Sequence, residues 1–179
     1  MTALVDPYRW QALGDGYFAP AGSVVDPAMA ARFAAYKRGV ASAYRSVPPG
    51  DVETTLPPGP CLVSEKVDGE TWFLHRADGT TTLVSPSGKA IRDVPVTNEA
   101  DTLLASWSGL LAGELYATSD GGRPRVFALH AALGGAEQAR VERLRFAAFD
   151  LLLDGEEDGA RTAFPDRVDR VQGLLRDGH

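Results

Sequence analysis

Apolar side chains recur every three or four positions through Met29, Phe33, Tyr36, Val40, Tyr44 and Val47, and Asp26-Pro27 stands just ahead of them. An aspartate N-cap, a proline at the first helical position and a single apolar stripe predict a helix that runs to about residue 47. Its other face carries Arg32, Lys37, Arg38 and Arg45. Such a run is a solvated face in the plain reading and a contact for a phosphate backbone in the functional one. Two breaker clusters follow, Pro48-Pro49-Gly50 and Pro57-Pro58-Gly59-Pro60, and predict a linker or domain entrance. Beyond them the texture becomes β-rich. Residues 61–67, 70–76 and 80–85 read as strands, with Asp78-Gly79 as the turn pair between the last two.

A helix is predicted over residues 98–111, with Leu103, Leu104, Trp107 and Leu110 or Leu111 on one side. Strands follow at 111–116 and 127–130, with Asp120-Gly121-Gly122 turning between them. A polar helical or looped stretch near Glu137–Arg143 leads to a buried strand at 144–153, and Asp166 to Leu175 closes the chain as a helix. Strands outnumber helices and connect through short turns, which predicts the α+β class with mainly antiparallel sheets and flanking helices.

The composition narrows the function classes. In 179 residues, 44 % are hydrophobic, enough for a buried core and against a disordered chain. With 18 Lys+Arg against 24 Asp+Glu the formal net charge is −6, so any grip on nucleic acid must come from a local basic surface. The single cysteine, Cys61, can make neither an internal disulfide nor a cysteine-based zinc site. The N-terminus lacks the pattern of a signal peptide, and no run approaches the roughly 18 apolar residues of a membrane span. A cytoplasmic monomer with no membrane partner is expected.

Lys66-Val67-Asp68-Gly69 places a lysine and an aspartate two apart on a predicted strand, hence on the same face, followed by a glycine that admits close backbone approach. A lysine amine there is a candidate nucleophile, provided that it loses its proton before attack. Gly113-Glu114-Leu115 sets a carboxylate among small and apolar neighbours, where it needs a metal, a hydroxyl or a cation. Phe149-Asp150 joins an aromatic face to an acid, a pair suited to stacking a flat base. Taken singly, each is as readily a surface pair or a strand end. His75 and His130 read as core or surface histidines, Arg123 and Arg125 as a solvated turn, and no residue is assigned as a metal ligand.

Their order and spacing carry a resemblance. Ser64-Glu65-Lys66-Val67-Asp68-Gly69, then Gly113-Glu114-Leu115-Tyr116, then Phe146-Ala147-Ala148-Phe149-Asp150-Leu151-Leu152 resemble nucleotidyltransferase motifs I, III and IIIa of ATP-dependent polynucleotide ligases. Leu153-Asp154-Gly155-Glu156, Pro165, Arg167 and Leu174-Leu175 resemble the segment that follows motif IIIa in the DNA ligases. The resemblance implies a ligase-type, ATP-grasp-like nucleotidyltransferase fold, with residues 59–179 as a partial adenylation domain and residues 1–58 as a helical extension and linker. It implies that Lys66 attacks the α-phosphate of ATP, with Mg²⁺ offsetting phosphate charge, and that the AMP passes to a 5′-phosphate end for joining to a 3′-hydroxyl. Asp68 would orient the lysine, Glu65 would contact the adenine edge, Gly69 would pass close to the nucleotide, Glu114 would hold the ribose or a metal shell, and Phe149 would stack on the base.

Three departures accompany it. Many DNA ligases and capping enzymes carry an arginine where Thr71 stands, and the Ser-Arg-x-Gly element of many DNA ligases is Ser85-Pro86-Ser87-Gly88, leaving Arg76 or Arg92 to compensate. The chain also ends at His179, before the family's later motifs, so the fold is expected to be incomplete at its C-terminus. DNA is favoured over RNA as the partner. An RNA ligase of the same superfamily and a non-catalytic nucleotide-binding or interaction paralogue are the alternatives.

Overall fold

Among the described residues, strand-forming segments occur in eight places: β1 (Gln11–Leu13), β2 (Gly16–Ala19), β3 (Glu70–Ala77), β4 (Thr80–Val84), β5 (Ala90–Arg92), β6 (Gly109–Ala117), β7 (Leu144–Asp154) and β8 (Glu157–Asp158). Between them lie α1 (Pro27–Ala41), the short α2 (Val52–Thr55), α3 (Pro95–Leu103), α4 (Val126–Ala132) and α5 (Phe164–Arg176). The computed structural model describes residues 3–41, 43, 45–118, 126–134 and 139–176. All eight strands pair antiparallel in one open sheet, in the order β1-β2-β5-β4-β3-β6-β7-β8. The expected α+β, antiparallel class holds.

Local chemistry accounts for the elements that were foreseen. Asp78 and Gly79 both take positive φ, 51° and 76°, the geometry that joins β3 to β4 in register without splaying them. Asp26 caps α1 by accepting hydrogen bonds from Ala28 N and Met29 N, and Pro27 starts the helix. The final helix begins at Phe164, slightly ahead of the expected Asp166.

The sheet buries apolar clusters on both faces. One face packs Trp72, Leu74, Leu111, Leu115 and Leu151 against α3, α4 and α5 through Ala100, Leu129 and Val171. The opposite face packs Phe73, Val84, Leu110, Ala112 and Leu152 against Phe33 of α1. Phe33 stacks on Phe73 with ring centroids 4.7 Å apart, and Tyr36 meets the same ring edge-on at 5.6 Å.

Four expectations are corrected. Residues 61–68 form no strand; the β3 ladder begins only at Glu70, which pairs with Leu115, and Asp68-Gly69 disfavours extension of the strand. Residues 127–130 are helical, because Leu129, Ala132 and Leu133 recur at helical spacing and bury against the sheet. The helix expected over 98–111 runs from Pro95 to Leu103, and Gly109–Ala112 is instead fully buried strand, paired on both sides. The first long helix ends at Ala41, and Val47 lies in irregular backbone. The stretch near Glu137–Arg143, expected as helix or loop, is loop at residues 139–140 and a 3-10 turn over Val141–Arg143, while residues 135–138 lie outside the described residues.

Strands β1, β2 and β5 had no sequence forecast; with three or four residues each, they are too short for alternation to show. Tyr44, the Asp120-Gly121-Gly122 turn, Arg123, Arg125 and His179 lie outside the described residues.

Candidate functional site

Pairing of β3 with β6 sets Thr71 directly opposite Glu114. Glu114 reaches back to the chain ahead of β3, where its Oε1 accepts a hydrogen bond from Gly69 N at 3.2 Å, and Thr71 Oγ1 lies 3.5 Å from its Oε2. Two motifs that stand 45 residues apart in sequence are thereby joined by a hydrogen bond. Lys66 and Asp68 meet as an ion pair, Nζ to Oδ1 2.5 Å, although their segment is not a strand. Both are mostly exposed, at 85 % and 65 % of the side chain.

The electrostatics couple these groups. Burial pushes the Glu114 carboxyl above its usual range, opposed by the Gly69 N–H, the Lys66 charge and Thr71, while the Asp68 charge adds to the rise. Lys66, Asp68, Gly69, Thr71 and Glu114 therefore form one polar cluster at the entry to the sheet. Among the described residues no three His, Cys, Asp or Glu side chains converge as a metal cage.

Gly69 has a structural use as well. A Cβ at this position would run into the Leu115 carbonyl oxygen and lie 3.0 Å from Glu114 Cγ, so the close approach seen is that of β6. Glu65 is exposed beside Lys66 in the chain, and no hydrogen bond ties it to the cluster. Phe149 sits where the β6–β7 register shifts, between Ala148 and Asp150, and packs partly buried on the apolar cluster beneath α1. It shares the sheet face of Thr71 and Glu114, since Phe73 and Ala112, two residues along from them, belong to that same cluster.

The substituted positions have local explanations. Ser85-Pro86-Ser87-Gly88 is a tight turn, closed by Gly88 N to Ser85 O at 2.9 Å and clamped to the N-terminal segment by Gly22 N to Ser87 O at 2.9 Å. Arg76 is buried and committed, with Nε on Leu104 O and NH1 on Asp101, both at 2.6 Å. Arg92 lies on β5 against Trp10 and Tyr17.

Two polar groupings escaped the sequence reading. His130 Nε2 lies 2.7 Å from Glu70 Oε1, and Trp72 Nε1 donates to Glu70 Oε2. Burial raises the Glu70 carboxyl, but His130, Trp72 and the Lys89 charge more than offset it and leave it below its usual range. Asp150, only 5 % exposed, accepts from Tyr36, from Arg167 and from its neighbour Leu151 N. A cleft of about 660 Å³ opens beside it, between α1 and β7, rimmed by the Arg32–Asp158 ion pair, rather than at Lys66. Phe149-Asp150 was the available signal for this grouping; a Glu70–His130 pair formed across 60 residues leaves no local pattern.

No family model and no curated protein matches the chain. Among solved structures it is similar to "mycobacterial DNA ligase D complexed with ATP and MES", with a TM-score of 0.47, 27 % identity, 64 % of this chain covered and 36 % of that one. It is also similar to the ligase domain from M. tuberculosis LigD, with a TM-score of 0.48, 27 % identity, 63 % of this chain covered and 36 % of that one. The chain thus spans little more than a third of the length of the structures it matches. No helix among the described residues is long and apolar enough to cross a membrane.

Proposed function

We propose that the chain is an ATP-dependent, DNA-ligase-like nucleotidyltransferase in which Lys66 is the nucleophile. The observation that carries this reading is the cluster Lys66–Asp68–Gly69–Glu114, which joins the motif I and motif III resemblances into one polar site. Lys66 Nζ, once deprotonated, attacks the α-phosphorus of ATP; the P–N bond forms, the bond to the bridging oxygen breaks, and pyrophosphate leaves. Asp68, already hydrogen-bonded to Nζ, orients the amine and accepts the proton it sheds.

Glu114 holds the ribose or a metal-bound water shell, Glu65 meets the adenine edge, and Phe149 stacks on the base. Mg²⁺ would supply charge neutralisation on the phosphates, held through its water shell by Glu114. The adenylate then passes to a 5′-phosphorylated end for joining to a 3′-hydroxyl, with DNA favoured over RNA. Residues 59–179 carry these motifs, while residues 1–58 supply β1, β2 and α1 to the same sheet and its core.

A second reading, a non-catalytic nucleotide-binding relative, is favoured by the high exposure of Lys66 and by a cleft whose lining does not include it. Incubation with α-labelled ATP and Mg²⁺ followed by a denaturing gel separates the two. Label on the wild type and none on Lys66→Ala is expected of the enzyme. An unlabelled wild type, or label that persists without Lys66, sinks the lysyl-adenylate proposal.

A further inference from the structure

Arg92 stands directly across from Tyr17 in the β2–β5 register, and that pairing brings its guanidinium 5.3 Å from the Tyr17 ring centre. Trp10, packed on the cluster beneath α1, brings a second ring to 4.6 Å. A planar, weakly hydrated guanidinium is well held by such ring faces, which fix its fork without consuming its N–H donors. No hydrogen bond engages them among the described residues. Among the described residues Arg92 Nε is the buried side-chain polar atom without a hydrogen bond, and its nearest acid, Asp93 Oδ2, forms only an ion pair at 3.4 Å.

The side chain is 37 % exposed, and Tyr17 beside it is exposed too. Ala90 lies in the same apolar cluster as Phe73 and Ala112, so Arg92, two residues on, shares the sheet face of Glu114. Three strand spacings sideways and about four residues along separate the two, about 20 Å in all. The cluster is therefore distinct from the Lys66 site.

We propose that Arg92, held by Trp10 and Tyr17, is a second anion site that takes a phosphodiester of a nucleic-acid strand. This rests on the reading that the chain acts on nucleic-acid ends. A fixed guanidinium fork with free donors matches two oxygens of a phosphate, and adjoining aromatic surface suits the sugar and base that come with a nucleotide chain. Asp93 sets the selectivity: a small free anion must displace its carboxylate alone, whereas a strand brings further contacts to help.

Binding of a fluorescent nicked DNA duplex to the whole chain, followed by anisotropy across a salt series, tests this. Arg92→Ala is expected to bind roughly tenfold more weakly and to lower the salt slope by about 1. Tyr17→Leu, which keeps the charge, is expected to weaken binding while leaving that slope unchanged. Lys66 labelling by α-labelled ATP stays at the wild-type level in both, which also shows that the variants fold. DNA binding by Arg92→Ala with wild-type affinity and slope overturns the proposal. So does equal competition by millimolar inorganic phosphate or by a polyglutamate peptide, since the site would then take any anion. A wild type that binds DNA through Arg92 but never takes the label overturns the adenylation reading and leaves this one standing, with folding then checked by thermal melting.

Discussion

Glu114 and Asp154 are carboxylates displaced in opposite directions, and the sign of each displacement fixes a pH dependence. Burial raises Glu114, so the folded chain binds a proton there more tightly than the unfolded chain does. The stability this group contributes is full at acid pH and is lost as pH rises through the raised value. Urea unfolding of Glu114→Gln should show a variant that gains on the wild type as pH goes from about 4 to 7; a gap independent of pH contradicts this. The hydrogen bond from Arg170, at 2.7 Å, lowers Asp154, helped by Trp107 Nε1 at 2.7 Å and opposed by burial. Its contribution is present above the ordinary aspartate range and disappears as pH falls through the depressed value. Asp154→Ala should cost about 1–3 kcal/mol at neutral pH, since it takes away the acceptor of Trp107 Nε1 and the ion pair with Arg170, and the cost should shrink below about pH 4.

The helices dock on the sheet through a few specific contacts. Arg167 ties α5 to β7 through Nε and NH2 on Asp150, at 2.6 and 3.4 Å, and its NH1 reaches Thr162 O at 2.7 Å. Arg167→Ala leaves the Asp150 carboxylate buried with only Tyr36 and Leu151 N as donors. It should destabilise the fold by about 3 kcal/mol in denaturant titration; a loss under about 1 kcal/mol would mean that water replaces the guanidinium freely. Legibility in the sequence follows the same physics. Helix α1 could be read from Asp26-Pro27 and a stripe that includes Phe33 and Tyr36, and the β3–β4 hairpin from Asp78-Gly79, because caps and turns are local chemistry. Helix α4 was misread because Phe127-Ala128-Leu129-His130 is too short a run to separate period two from 3.6, and its neighbours in the fold decided the matter. The β1–β2–β5 edge is held by partners far along the chain and left no local trace.

At the scale of the molecule, one antiparallel sheet brings Glu114 onto the segment that carries Lys66, and this union could be anticipated only through the order of the motifs. The residue types were legible because lysine, aspartate and glutamate at those spacings are uncommon together. Their setting was not: the Lys66 segment is irregular, and Glu114 is tied to the backbone of Gly69 and lies beside the Thr71 hydroxyl. Nor was the Arg92 cluster, which depends on a register between short strands. The central claim is that Lys66 carries a covalent nucleotide. Mass spectrometry of the intact chain after incubation with ATP and Mg²⁺, followed by peptide mapping, tests it most directly. The account predicts a single AMP adduct, located on Lys66, that pyrophosphate removes. An unmodified chain, or an adduct on any other residue, would contradict it.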